Sequence, residues 1–333
     1  MCDKCLKAKA LRFTKKAAAA GMEKVKRFYR RSTLPGLIAI GISINTQEAA
    51  AQLMPLSSQY YHNQYAANPA FAGVSEGLSV NMAYRNQWRS IPGSPVSSSV
   101  TGDYRFDNKV GVGLKIYTDK AGLISRNAVS GSYAYHLPLS TEGQELHFGI
   151  SLGVMKDKLD VDNIVGEDND LVAGAFNSRK IYIDGDFGLA YTNKRFNMQA
   201  AIPNMKVFFK KDESNSVQLA TMYLAMSYKI GQSPEMLSIE PKVSYWAADG
   251  IDNIWNLAAK VNLLDETLSF TGMLNSTKSS SLGLGIDQKR FLIQGFYTSH
   301  LAGQRESTGG SFELHLRIKL LNKENPGIQS AGF

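Results

Sequence analysis

Hydrophobic and polar residues alternate with a period of two along most of the chain from Leu78 onward. Residues 146–154 show this most clearly, since Leu, Phe, Ile, Leu and Val alternate there with His, Gly, Ser and Gly. The pattern recurs at 78–85, 110–117 and 312–319. Successive side chains of a strand point to opposite faces, so each segment presents one apolar face and one small, polar or charged face. That combination is typical of a membrane barrel, with lipid outside and a polar lumen inside.

Fourteen segments of about ten residues carry this alternation. They start near residues 78, 96, 109, 127, 145, 180, 195, 217, 236, 254, 267, 281, 290 and 309. Bacterial single-chain barrels use an even number of strands. The sequence therefore predicts an all-β fold, an antiparallel transmembrane β-barrel of about 14 strands over residues 78–320.

The connections between these segments differ in length. Several even-numbered ones are tight polar turns, namely Asp107-Asn108-Lys109, Thr192-Asn193-Lys194, Leu264-Asp265-Glu266 and Asp287-Gln288-Lys289. The odd-numbered ones are mostly longer and include 157–179, 203–216 and 299–308. Outer-membrane barrels have short periplasmic turns and long outer loops, so we expect the first strand to start in the periplasm. Aromatic residues that suit the headgroup level lie near strand ends: Trp88, Tyr104, Tyr133, Tyr135, Tyr191, Tyr245, Trp246 and Tyr297.

Residues 1–51 have the composition of a secretory leader. Basic residues at 24–31 precede a short apolar run at 34–44, and Ala49-Ala50-Ala51 follows. The run is too short to be a stable span, so we predict cleavage after Ala51. The long basic stretch leaves Met1 and Met22 as alternative starts, and a soluble amphipathic helix is the other interpretation. We expect 52–77 to plug or line the lumen, and the tail 321–333 to be unpaired because it contains Pro326 and Gly327.

The basic charge of the chain comes from the leader. The chain carries 37 Lys and Arg against 29 Asp and Glu, a net charge of +8. Residues 1–51 hold all of this excess, so residues 52–333 are neutral and a nucleic-acid-binding surface loses its support. Both cysteines, Cys2 and Cys5, also lie in the leader. A cysteine-free body suits an exported protein without disulfides.

Two specific motifs, Asn68-Pro69-Ala70-Phe71-Ala72-Gly73 and Tyr84-Arg85-Asn86-Gln87-Trp88, follow one another along the chain. In that order and spacing they resemble the PorP/SprF family of outer-membrane proteins, which are associated with type IX secretion and gliding in Bacteroidetes. Weaker matches are Gln59-Tyr60-Tyr61-His62-Asn63-Gln64-Tyr65, Pro92-Gly93-Ser94-Pro95, Val110-Gly111-Val112-Gly113-Leu114, Asp119 with Gly122, Tyr133-Ala134-Tyr135, Phe148-Gly149-Ile150-Ser151-Leu152-Gly153, 187–194 and Ile202-Pro203-Asn204. The dense match covers residues 59–205, and the long leader departs from the family's short signal.

The resemblance implies a non-enzymatic, integral outer-membrane protein without a cofactor. Such a protein assists the export or surface anchoring of large proteins such as adhesins, by binding cargo C-terminal domains. Its expected partners are type IX components, peptidoglycan-associated proteins and the lipid bilayer, and not nucleic acid. By motif, the binding residues are Asn68, Arg85, Asn86, Gln87 and Trp88. From the residues alone, Arg85 holds the N-terminal segment or a partner peptide, or is a solvated channel arginine; Trp88 suits an aromatic girdle equally well.

Other residue patterns that could carry chemistry are weak. Asp160, Asp162, Asp168 and Asp170 form an acidic loop that suits Ca²⁺, but the spacing misses the twelve-residue calcium loop, and a solvated loop explains it as well. Ser299-His300, with Glu306 nearby, is the one hint of a membrane hydrolase. Gly111-x-Gly113 and Gly283-x-Gly285 lie in strands, so they indicate a bent wall or a closely approaching segment rather than a nucleotide site. The main alternative function is a pore for small hydrophobic or polar solutes.

Overall fold

A closed antiparallel barrel of 14 strands forms the body of the protein, as the alternation predicted. The computed structural model describes residues 58–161, 176–178, 181–206, 221–231, 237–248, 252–288, 290–300 and 309–320. The strands are β1 (Leu78–Gln87), β2 (Val96–Asp107), β3 (Val110–Ala121), β4 (Ile124–Pro138), β5 (Glu145–Leu159), β6 (Tyr182–Thr192), β7 (Phe196–Ile202), β8 (Thr221–Tyr228), β9 (Leu237–Ala248), β10 (Ile254–Leu263), β11 (Leu268–Asn275), β12 (Ser279–Gln288), β13 (Phe291–His300) and β14 (Ser311–Leu320).

The first and last strands close the barrel. β1 pairs with β14 along its whole length, from Leu78 opposite Leu320 to Gln87 opposite Ser311. Every other strand pairs with its two neighbours in sequence. Closure leaves no strand edge, so the backbone groups of the wall are satisfied by each other, which hydrocarbon requires.

The two faces of the wall differ as the alternation predicted. On β5 the apolar residues point outward and are exposed, with Leu152 at 68% and Ile150 at 51%. The alternate residues His147 and Ser151 point into the lumen and are buried. Exposed apolar side chains on a closed barrel are the surface that meets lipid.

The predicted strand starts lie within a few residues of the observed ones. The largest offsets are at β4, which begins at Ile124 rather than near 127, and at β8, which begins at Thr221 rather than near 217. The β3–β4 connection at Gly122-Leu123 is a tight turn, unlike most odd-numbered connections. Gly122 has φ +59, which a glycine adopts without steric cost. The leader, its cleavage site, the alternative starts and the tail 321–333 lie outside the described residues.

Three short helical turns precede β1. They are α1 (Gln59–His62), α2 (Gln64–Ala67) and a 3₁₀ helix (Pro69–Phe71). Asn63 caps α2, since its side chain accepts a hydrogen bond from the backbone N–H of Ala66. Within the described ranges, no helix has the length and hydrophobicity needed to cross a bilayer.

Candidate functional site: the lumen and its N-terminal segment

Residues 58–74, named here the lumen segment, contact opposite sides of the barrel wall. Asn63 donates a side-chain hydrogen bond to Thr101 Oγ1 on β2, at 2.9 Å. Two residues earlier, the Tyr61 hydroxyl donates to the carbonyl oxygen of Glu240 on β9, at 2.6 Å. Seven strand steps separate β2 from β9 in the order around the 14-stranded barrel, in either direction. The segment therefore reaches across the lumen.

Lumen-facing glycines let one part of the segment approach the wall closely. A methyl group built on Gly188 of β6 would lie 1.9 Å from Asn68 Oδ1, and one on Gly149 of β5 would lie 2.1 Å from the Ala70 nitrogen. On β3, a methyl group on Gly111 would lie 1.9 Å from the Ala72 oxygen. Any side chain at these positions overlaps the segment. We name these glycines, with Gly113 facing the Tyr65 ring, the glycine trough.

Asn68 is the polar anchor in this trough. It is fully buried, and its amide nitrogen donates to the carbonyl oxygens of Leu189 and Ala200, each at 3.2 Å. Its amide oxygen accepts the backbone N–H of Ala70 at 3.0 Å and so starts the 3₁₀ helix. One side chain thereby joins the segment to β6 and β7 while capping its own helical turn.

Apolar packing completes the anchored part. Tyr65, Ala70, Phe71 and Ala72 form one buried cluster with two small wall residues, Ala134 of β4 and Ala190 of β6. The small wall side chains leave room for the Tyr65 and Phe71 rings. The motif at residues 68–73 thus packs against the other motifs of the family resemblance, which lie on β3–β6.

The segment leaves the trough through a turn at Gly73. This residue has φ +71, and its N–H donates to Asp103 Oδ2 on β2 at 3.0 Å. A methyl group here would lie 2.7 Å from Gly111 Cα. Glycine is therefore required both by the backbone conformation and by the space.

A chain of hydrogen bonds through two histidines fastens the same region. His136 Nε2 lies 3.0 Å from the Ala72 carbonyl oxygen, His136 Nδ1 lies 2.8 Å from His147 Nδ1, and His147 Nε2 lies 2.8 Å from Thr192 Oγ1. A carbonyl only accepts, so His136 donates from Nε2. The neutral pair then requires His147 to donate from Nδ1 and Thr192 to donate to His147 Nε2. The sequence did not reveal this series of hydrogen bonds, because neither histidine belongs to a recognisable motif.

The α1 part of the segment rests on a different region of wall. The Tyr60 ring lies 5.0 Å from that of Trp246 and 5.5 Å from that of Tyr223. Lys242 Nζ donates to the Tyr60 carbonyl oxygen at 2.9 Å and lies 4.9 Å from the centroid of the Tyr61 ring. The Tyr61 ring packs on Ala258 and Met273.

His62 ends α1 among basic groups. Its ring lies 5.5 Å from the Phe296 ring on β13. Burial, and then the charge of Lys260 with smaller contributions from His315, Arg317 and Lys242, lowers the pKa of His62 well below its usual value. The imidazole is therefore neutral in the seated segment at pH 7.

Ion pairs line much of the remaining lumen. Arg126 contacts both carboxylate oxygens of Asp157, at 2.8 and 3.0 Å, and Lys115 lies 3.3 Å from Asp186. Arg85 Nε lies 3.1 Å from Glu313 across the β1–β14 closure. Arg85 also borders a cavity of about 10 Å³ next to Gln59 and His315, which has room for about one water molecule.

The structure separates the five predicted binding residues. Asn68 is in the trough and Arg85 pairs with Glu313. Gln87 is buried at the end of β1, and Asn86 lies beside it on the outward face. Trp88 follows the strand with φ +52, in the turn closed by Gln87 N–H donating to the Pro95 oxygen. Buried Asn68 serves as an anchor within the chain; partner binding by all five stays a prediction.

The weaker candidates lie mostly beyond the described residues. Asp160 is described, and its carboxylate lies 3.9 Å from Lys120 Nζ. Asp162, Asp168, Asp170, Glu306 and the side chain of His300 are not in the described part. Within that part, no group of three or more His, Cys, Asp or Glu side chains is arranged to hold a metal ion.

Fold and lumen together define an integral membrane β-barrel whose lumen holds part of its own chain. The model of one family, described as the type IX secretion system membrane protein PorP/SprF, matches residues 49–318. The chain belongs to the PorP/SprF family and is an outer-membrane barrel of the type IX secretion system. Comparison with curated proteins gives no match.

Several solved outer-membrane proteins are similar to this chain at low sequence identity. The outer membrane protein Omp33 of Acinetobacter baumannii is 7% identical, with a TM-score of 0.44 over 74% of this chain and 100% of that one. The toluene transporter TbuX of Ralstonia pickettii is 12% identical, with a TM-score of 0.46 over 77% of this chain and 93% of that one. A KdgM porin in complex with disordered oligogalacturonate is 9% identical, with a TM-score of 0.34 over 73% and 99%.

Proposed function

We propose that this barrel is a non-enzymatic scaffold of type IX secretion. In this proposal it assists the export or surface anchoring of large proteins such as adhesins. It binds the C-terminal domain of the cargo, and on the periplasmic side it meets secretion components and peptidoglycan-associated proteins. Family membership supports the secretion role.

The observation that carries the scaffold role is the lumen segment itself. It joins β2 to β9 through Asn63 and Tyr61, and its backbone fills the glycine trough. We propose that the segment plugs the barrel. A pore that conducts solutes needs an open lumen, whereas a protein that binds other proteins does not. A closed lumen therefore favours the scaffold.

Arg85, Asn86, Gln87 and Trp88 lie at or next to one end of β1. We propose that this end, which we expect to face outward, meets the cargo. The turn after Gln87 is held by the Pro95 hydrogen bond, and the adjacent Arg85 is held by Glu313. These contacts order the end of β1 before any cargo arrives, so binding there has little ordering cost.

Affinity purification tests the scaffold role. The tagged protein is extracted from outer membranes in mild detergent, and co-purifying chains are identified by mass spectrometry, with an unrelated tagged barrel from the same membranes as the control. We expect stoichiometric recovery of a large surface protein or of periplasmic secretion components. Recovery of the barrel alone in several detergents, together with solute-permeable proteoliposomes, would establish the pore instead.

A further inference from the structure

The polar groups around the two ends of the lumen segment differ in how completely they are hydrogen bonded. Around the trough, Asn68, Gly73 and Ala72 each hydrogen bond to the wall or to its side chains. Around α1, several buried wall atoms of the described residues have no hydrogen-bond partner: Gln294 Nε2 and Oε1, Thr271 Oγ1, Tyr223 Oη and Trp246 Nε1. The exposures of Gln294, Thr271 and Tyr223 are 1%, 3% and 0%.

These wall groups belong to the surface that α1 covers. Tyr223 and Trp246 hold the Tyr60 ring. Tyr61 packs on Met273, and Thr271 is the neighbouring lumen-facing residue on the same strand. His62 contacts Phe296, and Gln294 is the neighbouring lumen-facing residue on that strand. We name Tyr223, Lys242, Trp246, Thr271 and Gln294 the α1 seat. Buried polar groups normally have partners, so the seat has more hydrogen-bonding capacity than α1 uses.

The unused capacity consists mainly of donors. The Tyr223 and Thr271 hydroxyls, the Trp246 N–H and the Gln294 amide all donate. Lys242 and Lys260 add positive charge, and the carboxylate of Glu240 acts on both, with Asp287 and Glu266 acting on Lys260 more weakly. Arg317 is paired with Asp287, and His315 lies by Glu313. α1 meets this surface with the neutral His62 and no carboxylate. The seat would therefore be better matched by a ligand that carries acceptors or negative charge.

The segment is built so that α1 can leave while the rest stays. α1 and α2 are separate four-residue helices joined at Asn63, which has φ −114 and ψ 83. Hydrogen bonds from α1 to the wall involve long side chains, such as Gln59 to Ser99. In the trough, by contrast, the backbone itself is enclosed by wall backbone.

We propose that the α1 seat is a peptide-binding site for an acidic, aromatic segment of a partner protein, and that α1 occupies it as a weaker internal ligand. The partner places an aromatic ring against the paired Tyr223 and Trp246 rings, in the position of Tyr60. It places a carboxylate in the position of His62, on which the charges of Lys260 and Lys242 act. The trough keeps residues 68–73 in place during the exchange. This rests on the proposed scaffold function and assigns partner recognition to the lumen as well as the rim.

Peptide binding tests the seat without any natural partner. The full chain carrying Tyr60→Ala and Tyr61→Ala, which unseats α1, is titrated with labelled Ser-Gln-Tyr-Tyr-His-Asn, the sequence of residues 58–63, and with Ser-Gln-Tyr-Tyr-Glu-Asn. We expect the glutamate peptide to bind at least tenfold more tightly than the histidine peptide, and Lys260→Ala to remove the difference. Equal affinities, or no binding by a variant whose electrophoretic mobility shows a folded barrel, would overturn the proposal.

A second variant keeps the test independent of that folding. In the full chain, His62→Glu gives α1 the missing carboxylate, so we expect at least a tenfold lower recovery of type IX partners in the affinity purification. Asn127→Glu, at an exposed position of β4 away from the periplasmic turns and from β1, is the control and retains recovery. Undiminished recovery by His62→Glu refutes the lumen site while leaving the scaffold function intact. Absence of partners from the unsubstituted protein refutes the scaffold function, and the peptide titration then still decides the lumen site.

Discussion

The two ends of the lumen segment solve the same problem, seating a chain inside a polar barrel, in different ways. The backbone of residues 68–73 packs closely against wall positions that are glycine and carry no side chain. Every polar group named there has a hydrogen-bond partner. Residues 59–62 lie on a wall of full-sized side chains, where buried donors remain without partners. Tight backbone packing with satisfied hydrogen bonds makes a permanent contact, whereas incomplete polar matching makes an exchangeable one.

Closing the glycine trough should have the largest effect. In Gly149→Val, the added Cβ lies 2.1 Å from the Ala70 nitrogen and 2.3 Å from the Pro69 carbonyl carbon, so the 3₁₀ helix cannot stay seated. We expect a loss of about 3 kcal/mol in stability, as for severe overpacking, and rapid protease cleavage within residues 58–77. Thermal unfolding and limited proteolysis in detergent measure both effects.

The matched control for the trough is Gly131→Val on β4, where an added Cβ meets nothing within 4 Å. This variant should stay within about 0.5 kcal/mol of the original protein and keep the segment protected. If both valine variants behave alike, close approach is not what the trough glycines provide.

Removing the polar anchor should have the next largest effect. Asn68→Ala leaves the carbonyl oxygens of Leu189 and Ala200 without this donor and uncaps the 3₁₀ helix. We expect about 2 kcal/mol of destabilisation in urea unfolding from lipid vesicles. Asn127→Ala is the control, because its amide only accepts one exposed hydrogen bond from Thr118, and it should change stability by less than about 0.5 kcal/mol. Equal losses would show that Asn68 is not an anchor.

Acidification should loosen the α1 end. The pKa of His62 is lowered in the seated state, so the released segment binds a proton more readily. The contribution of His62 to seating is therefore complete above about pH 6.5 and is lost as the pH falls, by up to about 2 kcal/mol at pH 5. Protease accessibility of residues 58–63 between pH 7.5 and pH 5 measures the release. His62→Phe should flatten this dependence, and an unchanged pH profile would contradict the assignment to His62.

Replacing a buried polar group that has no hydrogen-bond partner should have the smallest effect, and it should raise stability instead of lowering it. Gln294→Met replaces a buried amide, neither of whose polar atoms has a partner, by an apolar side chain of similar length. We expect the thermal midpoint to rise, with a gain of about 1 kcal/mol. Gln199→Met, which loses the hydrogen bond to Gln64, is the comparison and should destabilise. A loss of stability in Gln294→Met would mean that the amide is satisfied in the folded protein.

Much of the barrel is readable from the sequence because its determinants are local. Period-two alternation at 78–85 or 146–154 identifies a strand and both of its faces without knowledge of its neighbours. Turn chemistry at Asp107-Asn108-Lys109 marks where one strand ends and the next begins. Glycines within strands also indicated a close approach, and at Gly111 and Gly113 the lumen segment supplies it. At Gly283 the approaching group is instead the Phe296 ring of the neighbouring strand.

What only the tertiary structure decided is which distant residues meet in the lumen. Asn68 contacts Gly188, Leu189 and Ala200, and Ala72 contacts His136, only once the barrel has closed around the segment. Arg85 gains Glu313 because the last strand returns to the first. Such partners lie far apart in the chain and share no local pattern. Alternation along the sequence therefore determined the wall, the strand number and the polar lumen, while barrel closure determined what fills that lumen and how tightly each part of it is held.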